Sequence, residues 1–203
     1  MIKAIIFDVG GVLYLSRTPE YIFMQKALNL YGKDYTNGIA KYIKLSSINK
    51  ISEKEAFEKM SKYTNISAKK IKNIFIREYR KRFWLNKYLL NLIKRLKKEY
   101  KISIISNQFS LSYHLLINNK LIKHFFMPIF SHQVKTKKPE EKVYRIALKK
   151  LRVPANQTIF VDDREFNLIP AKKLGMKTIL FKNNKQLVKD LKKLGVKIYD
   201  KKK

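Results

Sequence analysis

Ile2-Lys3-Ala4-Ile5-Ile6-Phe7-Asp8-Val9-Gly10-Gly11-Val12-Leu13 is the stretch on which the fold turns. Five of the six residues before Asp8 are uncharged and apolar, a nearly continuous run that fits a strand buried on both faces of a parallel sheet. Asp8 closes the run, so its carboxylate is expected to stand exposed at the strand's carboxyl end. The glycines after it allow backbone N–H groups to approach a bound anion closely. A carboxylate beside an anion cradle points to phosphoryl chemistry, with Asp8 as nucleophile. Taken alone, the same residues also suit an aspartate that caps a turn.

Working outward, 203 residues suffice for one α/β core with a small inserted module. The chain has no cysteine and 3 histidines, which excludes a disulfide framework, a thiolate metal site and a His-rich metal cluster. A reducing cytoplasm is the expected compartment. Lys3 and Asp8 fall within the first eight positions and lead straight into the motif, so the start does not read as a signal peptide. No run approaches the roughly 18 apolar residues of a membrane span, and no membrane partner is expected. The formal charge of +31 would attract nucleic acid, anionic lipid or phosphorylated substrates. Its lysines are nevertheless spread over nearly every segment, from Lys69-Lys70 to the Lys201-Lys202-Lys203 tail, as solvated helix faces are. A nucleic-acid partner is therefore kept as an alternative.

From about Pro19 to Phe83 the pattern is helical throughout, with Ile71, Ile74, Phe75 and Tyr79 at three- and four-residue spacing. Ser52 followed three residues later by Glu55 is a helix start, and Ser67 can open the next helix in the same way. After Asn86 helical segments alternate with short apolar runs at Ile102 to Ile105, Ile129 to Phe130, Thr158 to Val161 and Thr178 to Phe181. That alternation predicts an α/β fold, a Rossmann-like three-layer parallel sheet core with an all-helical cap inserted after strand 1. The core is expected over 1–16 and 84–203 and the cap over 17–83. In open α/β sheets ligands bind outside the carboxyl ends of the strands, where such an insertion can cover them.

Three further segments finish strands or follow them. Ile102-Ser103-Ile104-Ile105-Ser106-Asn107 ends in a hydroxyl and an amide, so the Ser106 hydroxyl and the Asn107 N–H can both donate to phosphoryl oxygens. Lys138, held before Pro139 in a geometry biased toward extended, offers an ammonium that can neutralise the nucleophile and the transferring group. Thr158-Ile159-Phe160-Val161-Asp162-Asp163 places two adjacent acids at a strand end. They repel each other unless a lysine or a hard divalent cation offsets them, and Mg²⁺ with Asp8 and Asp163 as ligands suits the pattern. An exposed Asp-Asp turn that caps the next helix is the other reading of that segment.

Taken jointly and in this order, Asp8, Ser106, Lys138 and Asp162-Asp163 resemble the haloacid dehalogenase superfamily over nearly the whole chain. The likeness is to phosphatase-type members with a helical cap after strand one, including the phosphatase domain of epoxide hydrolase and sugar-phosphate phosphatases. Lys138 to Tyr144 matches the third motif of that group and Phe160 to Phe181 the fourth. The resemblance implies a Mg²⁺-dependent phosphatase of a small phosphorylated metabolite, working through an aspartyl-phosphate on Asp8 that water hydrolyses. It implies Asp8, Ser106 and Lys138 in catalysis. Asp163 and the Gly10 carbonyl would bind metal directly, with Asp162 acting through water or through Lys138. Val9, Gly10, Asn107 and Arg17 would contact substrate, and Asn167 would brace the loop. The double acid argues against the dehalogenase branch, which carries serines at those positions.

One departure stands out. Most phosphatases of the superfamily place a second Asp two residues after the nucleophile, as acid and then base, and here that position is Gly10. Positioned acid–base catalysis contributes about 10²–10⁴-fold, so a slow rate is expected with poor leaving groups unless a cap side chain, the Tyr14 hydroxyl or a water carries the proton. A catalytically weak relative binding nucleic acid, or a phosphotransferase, is the alternative, and the chain is expected as a monomer or homodimer.

Overall fold

The computed structural model describes residues 1–16, 25–29, 35–117 and 119–198. In chain order its strands are β1 (Ala4–Phe7), β2 (Tyr14–Leu15), β3 (Trp84–Leu85), β4 (Lys101–Ser106), β5 (Ile129–Phe130), β6 (Thr158–Asp162) and β7 (Lys177–Leu180). The α-helices that matter for the site are α1 (Lys41–Ser46), α2 (Glu53–Thr64), α3 (Ala68–Arg82), α4 (Lys87–Leu96), α5 (Ser110–Leu116), α6 (Asn119–Ile122), α7 (Ser131–Val134), α8 (Glu141–Leu151), α9 (Glu165–Lys173) and α10 (Asn184–Lys193).

Strand β1 is completely buried, and its period-2 geometry sorts the core into two layers. Ile5 and Phe7 face the side where Ile102, Ile104, Ile159 and Val161 meet Leu89, Leu92 and Ile93 of α4 and Leu187 and Leu191 of α10. Ala4 and Ile6 face the other side, against Val143, Tyr144, Ala147 and Leu151 of α8 and Ala171 of α9. Helices thus cover both faces of a five-stranded sheet ordered β5-β4-β1-β6-β7. Every neighbouring pair is parallel, so all strands end on the same side. This is the three-layer Rossmann-like arrangement expected from the sequence. Strand limits differ from the expected ones by a residue or two, as at β7, which spans Lys177–Leu180.

Between β2 and β3 the described residues 35–82 are helical and contribute nothing to the sheet. A π-helical turn, Tyr35–Ala40, runs into α1, and α2 and α3 follow. Ser52 caps α2 by accepting from the Glu55 N–H at 3.1 Å, and Ser67 caps α3 by accepting from the Lys70 N–H at 3.3 Å, each satisfying one of the free donors of a first turn. Phe57 and Phe75 meet edge to face at 5.6 Å, and Phe75 meets Phe109, in the loop after β4, in the same way at 5.8 Å. The segment therefore shares one apolar core with the sheet.

Strands β2 and β3 are not apparent in the sequence, because two-residue strands carry no periodicity. They pair antiparallel, Tyr14 with Leu85 and Leu15 with Trp84. Asn86, buried beside them, donates from Nδ2 to the Val12 carbonyl at 3.2 Å and to Asn184 Oδ1 at 2.9 Å, while its Oδ1 accepts from the Leu89 N–H. Among the described residues no helix is long and apolar enough to cross a membrane.

Candidate active site

Because the sheet is parallel and β1 lies between β4 and β6, the residues ending these three strands converge: Asp8 after β1, Ser106 at the end of β4, and Asp162 and Asp163 at the end of β6. Asp8, Ser106 and Asp163 form the floor of a cavity of about 690 Å³, while Asp162 is fully buried. Asp8, Gly10, Ser106, Asn107, Lys138, Asp163 and Asn167 line it from the core, and Ile43, Lys44, Ser47, Tyr79 and Phe83 from the helical segment and its end.

Asp8 is not the exposed carboxylate that its place at a strand end implied. It is 7% exposed, since the helical segment roofs the strand ends and Lys138 is packed beside them. Oδ1 of Asp8 meets Lys138 Nζ at 2.7 Å and accepts from the Val9 N–H at 2.6 Å. The Val9 N–H, expected to face a bound anion, is thus directed at the Asp8 carboxylate. Asp8 Oδ2 has no hydrogen bond among the described residues. Burial pushes the Asp8 carboxyl up to about 7; Lys138 opposes this rise, and Asp162 and Asp163 reinforce it.

Lys138, 3% exposed, is the pivot of the site. Its Nζ also reaches Asp162 Oδ2 at 2.6 Å. Burial on its own would lower the ammonium's pKa, but the Asp8 and Asp162 carboxylates overcome it and hold the pKa above the ordinary lysine value. The backbone that presents this lysine is clamped by a side chain. Asn107 Nδ2 donates to the Lys138 carbonyl and the Lys138 N–H donates to Asn107 Oδ1, both at 2.9 Å. Sequence reasoning credited Asn107 with its N–H alone, and no local pattern announces a contact spanning 31 positions.

Asp162 is fully buried and both its oxygens are engaged: Oδ2 by Lys138, Oδ1 by the Arg164 N–H and by Asn167 Nδ2, each at 2.9 Å. Asp162 thus contacts Lys138 directly. Asn167 is itself anchored, since Tyr144 donates from its hydroxyl to the Asn167 carbonyl at 2.6 Å. Asp163 is turned differently. Its Oδ1 is buried without a partner among the described residues, and burial followed by the Asp162 charge raises its pKa. Gly11, at φ +81°, gives it room, because a Cβ there would overlap the Asp163 carboxylate. One oxygen from each of Asp8, Asp162 and Asp163 lies within 4.8 Å of the others.

Arg17 falls outside the described residues. Tyr14 is half-buried but does not line the cavity. Cavity-lining Lys44, Lys137, Gln108 and Phe166 were missed by the sequence reading, which could not tell one lysine or aromatic residue from another in a chain so rich in both.

The chain is thus a Rossmann-like α/β protein with an acidic cluster, a lysine and a serine gathered at the ends of its parallel strands. The sequence model of the haloacid dehalogenase-like hydrolases matches residues 5–181, and the chain belongs to that family. It is similar to bifunctional epoxide hydrolase 2 of Rattus norvegicus, 37% identical over 75 residues that make up 37% of this chain. The match spans 14% of that relative's length. Its fold is shared with a HAD-family enzyme from Bacteroides thetaiotaomicron solved as a magnesium complex, at TM-score 0.76 and 22% identity over 89% of this chain and 93% of that one. A HAD-like family hydrolase from Porphyromonas gingivalis superposes at TM-score 0.78 and 20% identity, covering 97% of this chain and 99% of that one.

Proposed function

We propose that the chain is a Mg²⁺-dependent phosphatase of small phosphorylated metabolites that works through an aspartyl-phosphate on Asp8. The observation that carries this reading is the Asp8 carboxylate lining the cavity, with one oxygen held by Lys138 and the other without a hydrogen bond among the described residues, beside an Asp163 oxygen that has no partner among them. In the first step an Asp8 oxygen bonds to phosphorus as the bond from phosphorus to the leaving oxygen breaks, and the leaving oxygen takes a proton from water. In the second, water adds to the same phosphorus, the bond to Asp8 breaks, and inorganic phosphate and the free carboxylate are released. Lys138 neutralises charge on the nucleophile, and the Ser106 hydroxyl and Asn107 N–H donate to the phosphoryl oxygens.

The residues fit a hard cation. Among the described residues three carboxylates gather about one ammonium, two of them on the buried Asp8 and Asp162, an excess of negative charge that a hard cation would offset. Asp8, Asp163 and the Gly10 carbonyl would hold Mg²⁺, which supplies charge neutralisation when bound. The Bacteroides enzyme has also been solved with magnesium and inorganic phosphate. We place the core at 1–16 and 84–203 and read 17–83 as a cap whose side chains select the substrate; the absence of cysteine supports a reducing cytoplasm. Hydrolysis of an aryl phosphate that requires Mg²⁺ and leaves labelled phosphate on Asp8 in quenched samples tests the reading, and turnover insensitive to chelation overturns it.

Two substitutions probe the glycines. Gly10 has no atom within 4 Å of where a Cβ would stand, so a side chain can start there without displacing its neighbours. Gly10→Asp is expected to raise kcat for alkyl phosphates by about 10²-fold, within the range for a positioned acid–base group. The gain should be smaller for aryl phosphates, whose leaving groups need less help. Gly11→Ala is expected to push Asp163 aside. It should lower activity about 10–100-fold, in the range found when a group that orients a metal ligand is lost. The Mg²⁺ concentration for half-maximal activity should rise in parallel, which loss of folded protein would not cause.

A further inference from the structure

Phosphoryl transfer at Asp8 accounts for only part of the charge on the cavity wall. Among the described residues its charged side chains are Asp8, Asp163, Lys138, Arg164, Lys44 and Lys137. Lys138 is taken up by Asp8 and Asp162, and Arg164 acts on Asp163. Lys44 and Lys137 take part in none of the salt bridges among the described residues. Glu140 acts on Lys137, but its Oε2 already accepts from the Thr136 hydroxyl at 2.7 Å.

The two lysines come from different walls. Lys44 stands in the last turn of α1, in the helical segment, and Lys137 immediately precedes the clamped Lys138 in the core. They are close enough to feel each other: burial first, and then the Lys44 charge, lower the pKa of Lys137. Two ammonium groups lining one cavity repel unless an anion lies between them. On the phosphatase reading Lys138 and the residues of the strand ends engage the phosphoryl group at the floor, which leaves Lys44 and Lys137 for another group.

We propose that the substrate carries, besides the phosphoryl group, a second anionic group, a carboxylate or a second phosphate, held between Lys44 of the helical segment and Lys137 of the core. The inference rests on the phosphatase reading above and names its substrate class. Lys137 and Lys138 line the same cavity, so a substrate whose phosphoryl group lies at Lys138 can present a second group to Lys137. An anion bridging the two walls also ties the roof to the floor while the reaction proceeds. Analogues with a neutral tail leave both ammoniums unpaired and are discriminated against.

Three aryl phosphates with matched leaving groups test this: 4-methylphenyl phosphate, its 4-carboxymethyl analogue and its 4-phosphonomethyl analogue. The wild-type protein is expected to show kcat/KM about tenfold or more higher for at least one anionic analogue than for the methyl compound, as charge-assisted contacts allow. Whichever analogue is preferred identifies the group. In Lys44→Gln and in Lys137→Gln the preference should fall severalfold, and in the double variant to about one. The ratio is taken within each variant, so a partly unfolded preparation cancels. A wild-type ratio of one, or a ratio unchanged in both single variants, overturns the inference. If no ester is hydrolysed, the phosphatase reading fails separately; calorimetric binding of the three compounds to the Asp8→Asn protein then still decides, with equal affinities overturning the inference and tighter binding of an anionic analogue supporting it.

Discussion

Asp8→Asn is expected to lower hydrolysis of an activated aryl phosphate by about 10⁴-fold or more, the scale on which removal of a covalent nucleophile acts. Asparagine keeps the shape of the side chain, and its Oδ1 can still accept from the Val9 N–H and from Lys138, so the fold around β1 has no reason to change. What it loses is the nucleophilic oxygen pair. The melting temperature should stay close to that of the wild type while turnover and labelling of residue 8 vanish together. Chelation of divalent cations should reproduce the loss of turnover in the wild-type protein, with recovery on adding Mg²⁺. Activity retained in Asp8→Asn would remove the mechanism altogether.

Lys138→Met carries the largest expected cost to stability. It deletes the one ammonium lying between Asp8 and Asp162 at 2.7 and 2.6 Å, and breaking one side of a buried ion pair costs about 3–5 kcal/mol. In a chain of this size that corresponds to a fall in melting temperature of roughly 10 °C. The sign with pH is fixed by the carboxylates. Asp8, already raised to about 7 with the lysine present, rises further without it. A group with a raised folded pKa favours the protonated form, so folding is penalised increasingly as pH climbs from the unfolded value through the folded one. Destabilisation by Lys138→Met should therefore be smaller near pH 5 and larger near pH 8, and thermal melts across that range decide it. A melting temperature independent of the substitution at pH 8 would show that Lys138 is not the counter-charge of the cluster.

The buried strand β1, the alternation after Asn86 and the helices capped by Ser52 and Ser67 could be read from the chain because each is a local pattern whose period matches its structure. The strand-end residues were legible for a related reason: in a parallel sheet, positions far apart in sequence but alike in their place on a strand end up side by side. The contacts that tune them were not. The Asn107 clamp on Lys138, the Tyr144 hydroxyl behind Asn167 and the presence of Lys44 and Lys137 on one cavity lining join residues whose separation carries no periodic signature. The burial of Asp8 was misjudged for the same reason, since its neighbours along the chain say nothing of the helices folded over it.

Tyr14–Leu15 and Trp84–Leu85 bring the departure and the return of the helical segment to adjacent positions at the rim of the sheet. An insert whose two ends already touch adds little strain to its host and can differ in length or content without moving a strand. Asp8, Ser106, Lys138 and Asp162 are placed by the sheet and by one another, whereas Lys44 is placed by the insert. On the function proposed above, inheritance can act on the two separately: a lineage can trade one roof for another and acquire a new diet of substrates while its cutting edge stays as it was.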